Sequence, residues 1–194
     1  MVTFYICRHG QTEFNQQRRL SGWIDTPLTA AGLANVHTTA SKLSGVQFDS
    51  IYSSDLGRSF ITAYLIAKQL GFAREIIRVK ALRENGYGDI AAMSIAEAEV
   101  RYPLLHHDTN YIPPGGESLA QLQARILDFV RELHETHDGQ TILLSAHDGV
   151  IKAIFANFAG IDIGFHNTDH EYANDFAASF TLRDNIIAEF TEVK

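Results

Sequence analysis

Apolar residues recur along the chain with two different periods. Short β-prone runs lie at Thr3–Cys7, Phe48–Ser53, Ile76–Val79, Thr141–Ser145, Phe176–Leu182 and Ile186–Val193. Between most of them the apolar positions repeat at helical spacing, an alternation that predicts an α/β fold. Thr12 to Arg19 is polar and predicts a short helix, and Gly22–Leu28 is turn-rich. Thr29 reads as the N-cap of a helix to about Leu43, stopped by Gly45. Ser54-Asp55 reads as the cap of the next, with Phe60, Ile61, Tyr64, Leu65 and Leu70 as its apolar positions and Gly71 as its end. Ser94 with Glu97 predicts a capping box for a short helix to about Arg101, closed by Tyr102-Pro103. Ser118 caps the longest amphipathic helix, in which Leu119, Leu122, Ile126, Leu127, Val130 and Leu133 form one stripe and Arg125 and Arg131 lie on or beside the wet side. A last helix begins near Val150. The run Ile142-Leu143-Leu144 is apolar enough for a sheet centre, and the two final runs, joined at Asp184-Asn185, predict a hairpin at a sheet edge.

Composition narrows the classes. The 194 residues suit one domain, 1–194, with 45% hydrophobic and 20% charged residues. No repeat, low-complexity tract or linker divides it. A formal net charge of -7 argues against nucleic acid or an anionic membrane as the main partner, so any anion site must be a local positive pocket. The single cysteine, Cys7, excludes an internal disulfide and reads as a buried, inert thiol. Neither a signal peptide nor a stretch of transmembrane length is visible, and the expectation is a cytoplasmic protein. No pattern specifies an oligomeric state.

Chemistry enters where the strands end. The first run stops at Arg8-His9-Gly10, and in an open parallel sheet such ends face a crevice. A guanidinium offers a planar fork for an oxyanion, and a neutral imidazole beside it can attack the phosphorus so held. Gly10 would let the backbone approach a ligand or take a positive φ. Arg58 lies in the first turn of its helix, unfavourable to the dipole and so suggestive of a ligand. Glu84 follows the third strand and could donate a proton if its pKa is raised; an ion pair with Arg83 is the plain alternative. His147 stands at the end of the run from Thr141. His166, Asp169 and His170 could form a metal cluster, with surface histidines as the plainer reading. Together, Arg8, His9, Arg58, Glu84 and His147 suit a phosphomonoester dianion without a metal.

That ordered set resembles the histidine phosphatase superfamily, the phosphoglycerate-mutase-like proteins, over nearly the whole chain. Arg8-His9-Gly10 with Thr12, Glu13 and Asn15 matches the signature loop. Gly22 to Thr29 matches a Gly-Trp-x-Asp-x-Pro-Leu-Thr turn, followed by Gly32. Ser53-Ser54-Asp55-Leu56-Gly57-Arg58 carries the second phosphate-binding arginine, Glu84 the general acid, Gly116-Glu117-Ser118 a supporting run, and His147 the second histidine. The resemblance implies a three-layer α/β/α fold with a mostly parallel sheet, a phosphohistidine at His9, a phosphate pocket of Arg8, Arg58, His147 and Asn15, and no cofactor. The chain departs from many members at Gly88-Asp89-Ile90-Ala91-Ala92, and at His147-Asp148 where His-Gly is usual. Asp148 could hold His147 protonated or point to solvent as a helix cap.

Within this class the choice is phosphatase or mutase. The dedicated mutases that the chain resembles carry an extra segment enclosing the site, whereas the stretch of about 86–117, a candidate lid and specificity segment, is short. Hydrolysis of a small phosphomonoester is therefore expected, with phosphoglycerate mutase as the alternative. A metal phosphohydrolase built on His147-Asp148 would be sensitive to chelators, and a non-catalytic phospholigand-binding module would bind without turnover. Candidate selectors are Arg18-Arg19, His106, His107 and Tyr111.

Overall fold

The computed structural model describes residues 1–164 and 171–194. In chain order the elements are β1 (Thr3–Arg8), α1 (Glu13–Gln16), α2 (Ala30–Lys42), β2 (Ser50–Ser54), α3 (Gly57–Leu70), β3 (Ile76–Val79), α4 (Ile95–Arg101), α5 (Leu119–Thr136), β4 (Thr141–Ala146), α6 (Asp148–Ala159), β5 (Ala177–Arg183) and β6 (Ile186–Glu192). Short 3-10 turns at Lys80–Leu82 and Gly88–Ile90 flank the segment that carries Glu84.

One six-stranded sheet has the order β3-β2-β4-β1-β5-β6. Its first four strands are mutually parallel, and β5 and β6 complete it antiparallel, as the hairpin predicted for the sheet edge. Alternation along the strands separates two cores. Phe4, Ile6, Ile142 and Leu144 face α5 and α6, while Cys7, Ile51 and Leu143 face α2 and α3. The result is the expected α/β/α layering. The Phe4 and Phe180 rings stack across β1 and β5 with centroids 4.9 Å apart, which fixes the register of the antiparallel strand on the parallel set. Cys7 is fully buried and its thiol is pushed up to about 12 by burial, so it stays protonated.

Three local readings are corrected. The apolar positions assigned to α3 make up only part of its buried face: Leu65 and Leu70 pack against the core, Ile61 and Tyr64 are exposed, and Arg58, Ser59, Thr62, Ala63, Ile66 and Ala67 are turned inward. Small residues there let the helix lie close against β2 and β4, with Ser59 bonded to Ser145. Ser54-Asp55 does not cap that helix. Its N-cap is Leu56, and the carboxylate of Asp25, far away in sequence, accepts from the N–H groups of Gly57 and Arg58 at 2.5 and 3.3 Å; Asp55 is drawn instead into a bidentate pair with Arg83. Arg125 is not on the wet side of α5. It turns in and ties Glu117 to the backbone carbonyls of Ala81 and Glu84. Ser94 does accept from Glu97 N–H, but the Glu97 carboxylate pairs with Arg101.

Residues 86–117 carry a small core of their own, in which Leu20 packs with Ile90, Ala98 and Leu105. Backbone hydrogen bonds join this segment to residues 18–20, with Arg18 O accepting from Ile95 N–H and Leu20 O from Ala92 N–H.

Candidate active site

The topology brings the two histidines together. Strands β1 and β4 are neighbours in register, Arg8 opposite Ala146, so the residues that follow them emerge side by side. His9 N–H donates to Ala146 O at 3.0 Å, and the His9 and His147 rings stand 5.0 Å apart, edge to face. Gly10 is not needed for a positive φ; close packing requires it. A Cβ there would lie 2.4 Å from Gly32 O, because the loop rests directly on the first turn of α2.

Both ring nitrogens of His9 are spoken for. Nδ1 lies 2.8 Å from Gly10 O, which takes the Nδ1–H tautomer and leaves Nε2 with its lone pair, toward which Arg58 Nε–H points at 3.3 Å. Burial, followed by the nearby Arg58 and Arg8 charges, holds the His9 pKa well below the ordinary value. The imidazole is therefore neutral across the physiological range, as a nucleophile must be.

Arg58 is buried and fixed on every side: Nη1 donates to Ile24 O at 2.9 Å and Asp25 Oδ1 at 3.3 Å, and Nη2 to Gly22 O at 2.7 Å. The Gly22 turn therefore sets this guanidinium. Arg8 donates through Nη1 to Tyr172 O and through both Nη atoms to Glu171 Oε1 at 3.2 and 3.3 Å. Its Nε is buried without a partner, as are both ring nitrogens of His147 among the described residues. Buried polar atoms left unpaired in a cleft mark where a ligand's oxygens would be received. Burial, then Arg58 and His9, keep His147 well below its ordinary pKa. Asn15 also lines the cleft, and its Oδ1 closes a capping box with Thr12 at the start of α1.

Glu84 meets this group from the other side. Its Oε1 accepts from Asn85 N–H at 2.9 Å and from Gly149 N–H, in the first turn of α6, at 3.1 Å. Only glycine allows that approach, because a Cβ on residue 149 would lie 2.4 Å from Oε1. Burial and then the Asp148 charge raise the Glu84 pKa, outweighing the Asn85 N–H bond and the Arg58 and Arg8 charges that lower it. The ion pair with Arg83 does not form, since Arg83 is held by Asp55.

Asp148 takes neither of its two expected roles. It is the first residue of α6, with His147 as the N-cap. Its carboxylate pairs with Lys152 at 2.6 Å and Arg8 at 3.7 Å and accepts from Tyr172 N–H at 2.9 Å. It thus pins the 171–172 segment beside Arg8. The structure brings Arg8, His9, Asn15, Arg58, Glu84 and Asp148 to one cleft of about 620 Å³, with His147 buried against His9. The cleft also holds Arg18, Arg19, His106, His107 and Lys152. Arg125, Lys152 and Glu171 carry no sequence signal, because each acts through a partner remote along the chain, and Asp25, though part of the Gly22–Thr29 motif, shows its role only where it meets Arg58. His166, Asp169 and His170 lie outside the described residues, and among the described residues no group of three is placed to hold a metal ion. No described helix is long and apolar enough to cross a membrane.

With this geometry in place, residues 4–181 match the family described as the histidine phosphatase superfamily (branch 1). A 2,3-bisphosphoglycerate-dependent phosphoglycerate mutase of Brucella anthropi is 31% identical over 169 residues, 82% of each chain. Phosphoglycerate mutase-like protein 4 of Arabidopsis thaliana is 33% identical over 157 residues, 77% of this chain and 68% of the relative. Among solved structures, Bacillus stearothermophilus YhfR is similar with a TM-score of 0.86 and 27% identity, covering 96% of this chain and 94% of that one. A mycobacterial glucosyl-3-phosphoglycerate phosphatase complexed with VO3 has a TM-score of 0.84 and 26% identity, covering 98% and 96%.

Proposed function

The chain belongs to the histidine phosphatase superfamily, and on that premise we propose that it is a metal-independent phosphomonoesterase acting on a small cytoplasmic phosphorylated metabolite. The observation that carries this reading is a neutral His9, its Nδ1–H held by Gly10 O, facing a carboxyl at Glu84 whose pKa is raised. In the first step the Nε2 lone pair of His9 attacks phosphorus, taking over from the Arg58 contact, and the ester P–O bond breaks. Glu84 gives its proton to the departing alkoxide oxygen. Arg8, Arg58 and His147, with Asn15, receive the equatorial oxygens; the phosphoryl group competes with Glu171 for the Arg8 fork. In the second step water attacks phosphorus and loses a proton to the Glu84 carboxylate. The P–N bond breaks with its electron pair returning to Nε2, releasing inorganic phosphate.

Phosphate release from a panel of small esters, with and without chelator, tests the reaction. A quench with alkali should preserve a phosphoenzyme that acid destroys, the signature of phosphohistidine. His9→Ala should remove the phosphoenzyme and lower turnover at least about 10³-fold while the fold is retained by circular dichroism; substantial residual turnover would refute the nucleophile.

The name carried by the Brucella relative favours a second reading, phosphoglycerate mutase. There the phosphoenzyme gives its phosphoryl group to the free hydroxyl of a bound monoester rather than to water, and the other phosphoryl group of the resulting bisphosphate returns to His9, leaving the isomeric monoester. Conversion of 3- to 2-phosphoglycerate outpacing phosphate release would select it.

A further inference from the structure

The cleft is wider than one phosphoryl group needs, and its cations fall into two sets. Those beside His9 already have counter-charges: Arg8 pairs with Glu171 and Asp148, Arg58 with Asp25, and Lys152 with Asp148. Arg18 and Arg19 line the same cleft, and among the described residues neither forms an ion pair, although Glu99 lies on the same wall. In a chain with a formal net charge of -7, two adjacent guanidiniums without carboxylates make a local positive field at the cleft rim.

The backbone fixes where they sit. Arg18 adopts a left-handed backbone, φ 52°, a conformation that costs a non-glycine residue about 1 kcal/mol or more and persists only where its surroundings impose it. Arg18 N–H bonds Asn15 O, and Arg18 O accepts from Ile95 N–H. Arg19 bridges to Ser94, and its guanidinium lies 5.7 Å from the Phe14 ring centroid. The pair is thereby joined both to the loop that bears Asn15 and to the 86–117 segment.

We infer that Arg18 and Arg19 form a second anion subsite, so that the preferred substrate is a phosphomonoester carrying a further anionic group on the part that is not transferred. The inference rests on the hydrolytic reading for which end of the ester lies at His9. The recognising chemistry is that of guanidinium forks for carboxylate or phosphate.

Three esters on one three-carbon skeleton test it: glycerol 3-phosphate with a neutral tail, 3-phosphoglycerate with a carboxylate, and glycerol 1,3-bisphosphate with a second phosphate. Affinities are measured by calorimetry in a His9→Gln background, where the esters are not consumed, and kcat/KM with His9 intact. At least one anionic ester should bind about tenfold or more tightly than glycerol 3-phosphate, as for a charge-assisted hydrogen bond. The double variant Arg18→Gln/Arg19→Gln should bring that ratio to about twofold or less, and added salt should shrink it in the parent protein. A ratio cancels any loss that affects all esters equally. No preference in the parent, or one that survives in the double variant, overturns the subsite even if phosphate release proceeds. Selective binding that depends on the arginines, without turnover of any ester, supports the subsite and removes the phosphatase reading.

Discussion

At the scale of single residues, the site works by opposing shifts. Burial pushes the His9 pKa down and the Glu84 pKa up, so one group is shifted toward a base and the other toward an acid. Glu84→Gln should therefore cost about 10²- to 10⁴-fold on alkyl phosphates and much less on p-nitrophenyl phosphate, whose leaving group needs little protonation. Comparing the two losses is the measurement; equal losses would argue against a leaving-group acid. The carboxylate of Asp148 adds to the burial that raises Glu84. Asp148→Asn removes that charge and lowers the Glu84 pKa, so the alkaline limb of the kcat profile moves to lower pH. A limb that stays in place, or moves up, would separate Asp148 from the acid.

Elements decide which atoms can meet. The first turn of α6 serves as the seat of the Glu84 carboxylate, and Gly149 leaves the space for it. Gly149→Ala should favour the helix by up to about 1 kcal/mol in intrinsic propensity while pushing the carboxylate away. The expected result is a thermal midpoint close to that of the parent with alkyl phosphate turnover reduced about tenfold or more. A fully active variant would show that Glu84 need not rest on that helix. The end of α3 shows the same dependence on distant chain, since Asp25 both caps its first turn and pairs with Arg58. Arg125, from the opposite layer, fixes the carbonyls at Ala81 and Glu84. Acid and phosphate ligand are thus aimed from outside their own elements.

Across the whole molecule, burial stores unprotonated imidazoles at and beside the cleft. His9 and His147 are held well below 6.5, and His106 at about 4, all chiefly by burial. A depressed folded pKa gives stability that is fully present above the unfolded value near 6.5 and lost as pH falls below it toward the folded one. Glu84 acts the other way: its raised pKa gives stability present below about 4.5 and lost as pH rises through its folded pKa. Three imidazoles outweigh one carboxyl, so the thermal midpoint should fall between pH 7 and pH 5. The fall should be shallower in His147→Gln, and a midpoint that is flat or rises on acidification would contradict the burial of neutral histidines.

Much of the fold and site was legible along the chain because its signals are local. Strand ends are marked by apolar runs meeting polar chemistry, as at Cys7-Arg8-His9 and Ala146-His147, and caps such as Thr29 and Ser118 act within one turn. The final hairpin is equally local, its turn carried by Asp184 and Asn185 with positive φ. What failed depends on which partner wins in three dimensions. The apolar positions of α3 mark its inner face only in part, because periodicity does not reveal that small residues are needed where helix and sheet lie close. Asp55 looked like a cap until Arg83 claimed it, and Asp148 looked like a cap or a partner of His147 until Arg8, Lys152 and Tyr172 surrounded it. The sequence by itself determined the α/β class, the family and the side chains available for phosphoryl chemistry, since these follow from short-range pattern and residue type. Only the tertiary structure decided their protonation, their counter-charges and which arginines stand unpaired among the described residues, since burial and electrostatics depend on groups far apart in the chain.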